Sequence, residues 1–125
     1  MFLLDTHSLL WALFDAKKLP ARVAETLAVA ENLYVSVASL WEIAIKQSLG
    51  KLDIEYNPLE IASFCEQKDI AILPILHSHL VLLKDLPPIH RDPFDRLIVA
   101  QAKEENFVIV TKDSNITRYR VETLW

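Results

Sequence analysis

Short apolar, β-branched runs alternate with helical segments along this whole chain, and that alternation narrows the fold more than any other feature. Phe2-Leu3-Leu4, Leu33-Tyr34-Val35-Ser36, Ile70 to Ile75 and Phe107-Val108-Ile109-Val110 read as strands, and Arg120 to Trp125 as a last strand at a sheet edge. Thr6 to Phe14 reads as a helix apolar on most faces, either buried or set at an interface. Pro20 suits the first turn of the next helix, where Val23, Leu27 and Ala30 recur at helical spacing. A third helix runs through Ser39 to Lys46 and stops at Gly50. Asn57-Pro58-Leu59-Glu60 opens a fourth, His79 to Lys84 forms a short fifth, and Asp92-Pro93-Phe94-Asp95 opens the clearest one, ending near Glu105. Apolar strands separated by helices form a parallel sheet covered on both faces. The expected class is therefore α/β, a three-layer α/β/α arrangement around a central, mostly parallel sheet. With 125 residues, even composition and no linker or repeat, residues 1–125 make one domain.

Composition removes several functions. A single glycine excludes every glycine-rich phosphate loop. A single cysteine, Cys65, excludes an internal disulfide and any multi-cysteine metal site, which favours a reducing, cytoplasmic setting. His77 and His79 alone are too few for a zinc site. Asp5 interrupts the apolar start and no basic residue precedes it, so no secretory leader is expected. The longest run free of Asp, Glu, Lys and Arg, Ile70 to Leu83, is fourteen residues with Pro74 inside, too short to span a membrane.

Function in such sheets sits beyond the carboxyl ends of the strands. Asp5 ends the first strand, Glu42 lies in the helix after the second, Asp113 follows the last clear strand, and Asp95 sits in the first turn of the helix behind Asp92. Each has a plain structural reading. Asp5 suits a helix cap, Ser39 to Glu42 matches a capping box, Asp95 favours a helix dipole, and Lys112 to Asn115 has turn composition. Jointly, four converging carboxylates repel one another and need a cation. Oxygen ligands suit Mg²⁺ or Mn²⁺, which activate water and hold phosphate esters. The net charge of −4 argues against a basic nucleic-acid scaffold, yet setting those four of the 17 acids aside leaves 13 against 13 bases. Lys46, Arg91, Arg96 and Lys112 stand near the four acids in sequence, where they contact phosphates or pair with neighbouring acids.

The chain resembles the PIN-domain nucleases and, within them, the VapC-like toxins of toxin–antitoxin pairs. The matching pieces are Leu3-Leu4-Asp5-Thr6-His7, Ser36 to Lys46 (SVASLWEIAIK) with Leu49-Gly50-Lys51-Leu52, His90 to Arg96 (HRDPFDR) running on to Ala102, Val110-Thr111-Lys112-Asp113, and Tyr119 to Trp125. The resemblance implies a metal-dependent endoribonuclease with Mg²⁺ or Mn²⁺, an RNA substrate, a cognate antitoxin and a homodimer. It places the family's acidic quartet on Asp5, Glu42, Asp95 and Asp113, with Asp92 as a helix cap. It places the family's threonine on Thr111, whose hydroxyl would bond the site carboxylates or a water of the ion. Two other readings stay open: a phosphoacceptor signalling domain and a non-catalytic partner-binding module whose acids serve as caps. A phosphoacceptor would want a second acid after the first strand, where Thr6-His7 stands instead. Among the remaining residues, Trp11 and Trp41 read as core packing, Cys65 as a small core residue, and His7 and His90 as hydrogen-bonded structural groups near the site.

Overall fold

A computed structural model describes all residues, 1–125. Five parallel strands form one sheet: β1 (Phe2–Leu4), β2 (Leu33–Ser36), β3 (Ile70–Leu73), β4 (Val108–Val110) and β5 (Thr123–Leu124). Their spatial order is β3-β2-β1-β4-β5. The helices are α1 (Thr6–Phe14), α2 (Ala21–Val29), α3 (Val37–Ser48), α4 (Pro58–Gln67), α5 (His77–Asp85), α6 (Pro93–Glu105) and α7 (Ser114–Thr117), with a short 3-10 turn at Ala16–Lys18. The expected α/β/α layering is observed. Pro74 shortens the third strand by its missing donor, so the run to Ile75 ends at Leu73.

Strand alternation builds two cores. Leu3 and Ile109 point to one face, where Ile98, Val99, Ala102, Ile116 and Tyr119 cover them from α6, α7 and the turn that follows. Leu4, Val35 and Val110 point to the other, against Leu9, Val23, Ile43, Ile61 and Cys65 of α1 to α4. Helix α1 is neither fully buried nor free. Leu9 enters the core, while Leu10, Trp11, Ala12 and Leu13 are half-covered and Phe14 stacks on Tyr56 at 5.4 Å.

Helix ends follow their local chemistry. Asn57 and Glu60 close a reciprocal capping box on α4, as their spacing predicts. Asp92 caps α6, its Oδ1 accepting from the N–H groups of Phe94 and Asp95. Gly50, just past α3, takes φ +67°, the left-handed region that suits it. With no other glycine in the chain, Asn106 fills the same role after α6 at φ +58°.

Two expectations change. Trp41 is not core: it is 57% exposed and meets Phe94 edge-on at 5.1 Å. Helix α3 starts two residues earlier than the sequence suggests, with Ser36 as its cap accepting from Ala38 N–H. Ser39 and Glu42 therefore lie inside the helix and form no capping box.

Cys65 is fully buried on α4, and burial pushes its thiol pKa up. Both effects remove the reactive thiolate. An alkylating reagent is expected to label it at least about a hundred-fold more slowly in the native protein than in denaturant, where labelling reports opening of the fold. Equal rates would show that α4 is detached in solution.

Candidate active site

The strand order reverses at β1: β2 and β3 lie to one side and β4 and β5 to the other. A crevice opens beyond the carboxyl ends of strands flanking such a reversal. The paired ends Leu4, Val35 and Val110 stand in register, so Asp5, Ser36 and Thr111 follow them along one edge. Above that edge is a cavity of about 880 Å³, bordered by Asp5, Glu42, Asp92, Asp95 and Asp113. All four acids singled out from the sequence thus meet in one place.

Each is set by its own local structure. Asp5 caps α1, and its Oδ1 accepts from Ser8 N–H at 2.8 Å. Ser8 in turn donates its hydroxyl to Val110 O at 2.8 Å, tying the start of α1 to the end of β4. Glu42 projects from the middle of α3 and is 5% exposed. Its Oε1 accepts from the Thr6 hydroxyl at 2.7 Å, which also lies 3.0 Å from Ser39 Oγ, and its Oε2 pairs with Lys46 at 2.6 Å. That contact raises the Lys46 pKa. Asp113 caps α7 through Asn115 N–H, and its own N–H donates to the Thr111 hydroxyl at 3.0 Å. Thr111 therefore acts on the backbone of Asp113. The capping reading of Asp5 holds, and Asp113, read as part of a turn, proves to be a cap as well; in each the cap uses Oδ1 alone, and Asp113 Oδ2 meets His90 Nε2 at 2.7 Å.

Asp95 stands in the first turn of α6. Its pKa is raised from the ordinary 3.8 to about 7, first by burial and then by the charge of Asp92, with Asp5 and Glu42 adding to it and His90 opposing. A carboxyl whose pKa is raised by burial and by neighbouring carboxylates marks a place short of positive charge. The donor set is oxygen-rich and fits a hard divalent cation. His90, Asp95 and Asp113 each place one donor atom within 4.8 Å of the others.

The basic residues divide. Lys46 and Lys112 border the cavity, Lys112 lying 4.6 Å over the Trp11 ring. Lys18 and Lys51 border it too. Sequence distance hid both, since each reaches the site only through a chain reversal. Arg91 is exposed and outside the cavity lining. Arg96 is engaged elsewhere: its guanidinium donates to the carbonyls of Pro87 at 2.9 Å, Leu86 at 3.3 Å and Leu83 at 3.4 Å, and to the Tyr119 hydroxyl at 3.2 Å. Trp11 lines the cavity, between His7 edge-on at 4.9 Å and Trp125 at 5.7 Å. His79 is a buried structural group, accepting from Leu76 N–H at 2.9 Å and reaching Glu105 at 3.0 Å.

Comparison with known proteins agrees in extent and in fold. A family model described as PIN domain matches residues 2–122. Ribonuclease VapC22 of Mycobacterium tuberculosis (strain ATCC 25618 / H37Rv) is 27% identical over 123 residues, covering 94% of this chain and 91% of that protein. Among solved structures, VapBC2 from Rickettsia felis, bound to a DNA fragment from its promoter, contains a chain similar at TM-score 0.72. The two are 17% identical, over 98% of this chain and 96% of that one. FitAcB from Neisseria gonorrhoeae is similar at TM-score 0.68 and 18% identity, over 100% of this chain and 97% of that one. At these identities the structural likeness is one of fold.

Proposed function

The chain belongs to the PIN domain family, and from that premise we propose that it is a metal-dependent endoribonuclease, the toxin of a toxin–antitoxin pair. The observation that carries the reading is the set of buried carboxylates around Asp95 in the cleft at the sheet reversal. Capping accounts for Asp5, Asp92 and Asp113 but not for Glu42, which sits inside a helix and faces the same cleft. Its pairing with Lys46 and Thr6 holds it in place at the cleft without removing it from the acidic set. A phosphoacceptor domain of the flavodoxin-like type has strand order 2-1-3-4-5, unlike the order here. The similarity to a ribonuclease over nearly the full length supports RNA as substrate, and the VapBC and FitAB complexes of like fold support an antitoxin partner.

In this reading Asp5, Glu42 and Asp95 hold Mg²⁺ or Mn²⁺, and Asp113 completes the acidic wall. The bound ion supplies Lewis acidity toward the scissile phosphate and activates water as the attacking group. Thr6 orients the Glu42 carboxylate through its hydroxyl, and Ser8 does the same for Asp5 through its N–H. Thr111 fixes the main chain that carries Asp113. Lys46 and Lys112, joined by Lys18 and Lys51, face the phosphates of the strand. No helix is long and apolar enough to cross a membrane. The lone free thiol fits action in the cytoplasm, and the apolar Leu76, Leu80 and Val81 exposed on and beside α5 fit a homodimer.

The test is cleavage of RNA by purified, antitoxin-free protein with Mn²⁺. Activity is expected to vanish in excess chelator and in Asp5→Asn. Undiminished cleavage in either would sink the proposal. The basic residues are separable by salt dependence of RNA binding to an inactive variant. Lys112→Ala is expected to reduce the logarithmic salt slope by about one. Arg96→Met is expected to leave the slope unchanged and to cost about 2 kcal/mol of stability, because it removes hydrogen bonds to α5 carbonyls. A reduced slope in Arg96→Met would place Arg96 on a phosphate.

A further inference from the structure

We infer that His90 is a positioning residue of the acidic site and not one of its metal ligands: an imidazole whose Nε2–H holds Asp113, beyond β4, beside Asp95 of α6. The inference rests on the metal-site reading given above and deepens it. Nε2 lies 2.7 Å from Asp113 Oδ2 and 3.2 Å from Asp95 Oδ2. Proximity alone suits either a ligand or a donor. The other ring nitrogen decides between them. Nδ1 accepts the backbone N–H of Asp92 at 3.0 Å. A nitrogen that accepts carries no proton, so the ring N–H resides on Nε2. That nitrogen has no lone pair for a cation. To ligate through Nε2, the proton would have to move to Nδ1, where it would meet the Asp92 N–H head-on.

The ring has little freedom to escape this arrangement. Its own backbone N–H donates to the Tyr119 hydroxyl at 2.7 Å. Tyr119 is buried, and its hydroxyl is also held by Arg96 at 3.2 Å. The His90 side chain is itself only 14% exposed. The Asp92 N–H thus holds the ring and the Tyr119 hydroxyl its main chain, and together they aim Nε2–H at Asp113. Those acids come from separate elements, a helix and a loop, and would otherwise repel. A donor to Asp113 at 2.7 Å, with Asp95 Oδ2 alongside at 3.2 Å, holds Asp113 in place next to Asp95. The Asp95 carboxylate accepts no hydrogen bond from the protein and is available to a cation. Hydrogen-bonding groups behind ligands of this kind typically contribute 10–100-fold to metal affinity.

The experiment uses the full-length wild type first, so that no variant need fold. Long-range ¹H–¹⁵N spectra of the four histidines are expected to show His90 as the Nε2–H tautomer, unchanged when Mg²⁺ is added. Electron spin-echo modulation of the Mn²⁺ complex is expected to show no coupling from a directly bound nitrogen. His90→Gln, whose amide N–H reaches the Nε2 position, should bind Mn²⁺ within about fivefold of wild type, whereas His90→Leu should lose 10–100-fold. A bound-nitrogen coupling that disappears in His90→Gln, an Nδ1–H tautomer, or wild-type affinity in His90→Leu would each overturn the inference and leave the nuclease reading standing. A wild type that binds no Mn²⁺ at all would sink both.

Discussion

Asp95→Asn is expected to reduce RNA cleavage by at least about a thousand-fold while making the metal-free protein more stable. The two effects share one cause. Wild-type Asp95 is half-buried, and desolvation first, then the charges of Asp92, Asp5 and Glu42, raise its pKa to about 7. In the unfolded chain the carboxyl returns to its ordinary value near 3.8. Between those values the folded state binds more protons than the unfolded state, so the stability of metal-free protein falls as pH rises from about 4 through 7. Above pH 7 the full penalty is present, on the order of 4 kcal/mol for a rise from 3.8 to about 7, and Asn is expected to recover a large part of it at pH 8. Below pH 4 wild type and variant should converge. Mn²⁺ reverses the order, because wild type gains binding energy that the variant lacks. Loss of a ligand carboxylate also withdraws several kcal/mol of transition-state stabilisation, which sets the scale of the rate effect. Thermal melts of both proteins from pH 4 to pH 8, with and without Mn²⁺, should cross in this way, and titration calorimetry should show Mn²⁺ binding by wild type only. Equal Mn²⁺ affinity in the two proteins would remove Asp95 from the ligand set. A variant less stable than wild type at pH 8 without metal would show that its carboxylate is already compensated.

Leu4→Ala is expected to cost about 3–4 kcal/mol, a large part of the 5–15 kcal/mol typical of a domain this size. Leu4 is fully buried on the central strand and packs with Val35, Val110, Leu9 and Ile43. Neighbouring strands pair with it on both sides, so the sheet cannot close over the cavity left by the deleted carbons. The corresponding drop in Tm is roughly 10–15 °C. Leu4 also immediately precedes Asp5, whose N–H donates to Val110 O at 3.2 Å. The variant should therefore lose Mn²⁺ affinity at temperatures where it is still folded. A change of less than about 1 kcal/mol in denaturant unfolding would mean that the core around β1 is loosely packed.

Much of this protein was legible in its residues, and the reason is local. Period-two and period-3.6 patterns give each strand and helix its place in the chain, since they express which face of a short segment must leave water. Parallel pairing follows once helices lie between strands, and the carboxyl ends of the strands then bring Asp5 and Asp113 to one edge. Capping chemistry at Asn57, Asp92 and Gly50 was equally readable, because a cap acts within one turn. Glu42 was singled out with the other acids but carried a competing local reading. A capping-box spacing pointed to Ser39, and only the true cap at Ser36 moved Glu42 inside the helix.

What lay beyond those patterns was every relation between distant segments. His90 meets Asp113, 23 residues on, because α6 packs on the face of the sheet that Ile109 of β4 helps to form. Arg96 turns to the end of α5, and Lys18 and Lys51 arrive at the cavity through reversals of the chain. Trp41, apolar and in a helical pattern, stays at the surface because α3 turns that side away from the sheet. Element identity is a property of a few consecutive residues and their exposure to water. The partner of a side chain depends on helix crossing and strand register summed over the whole fold, and those quantities exist only once the two cores have closed on the sheet.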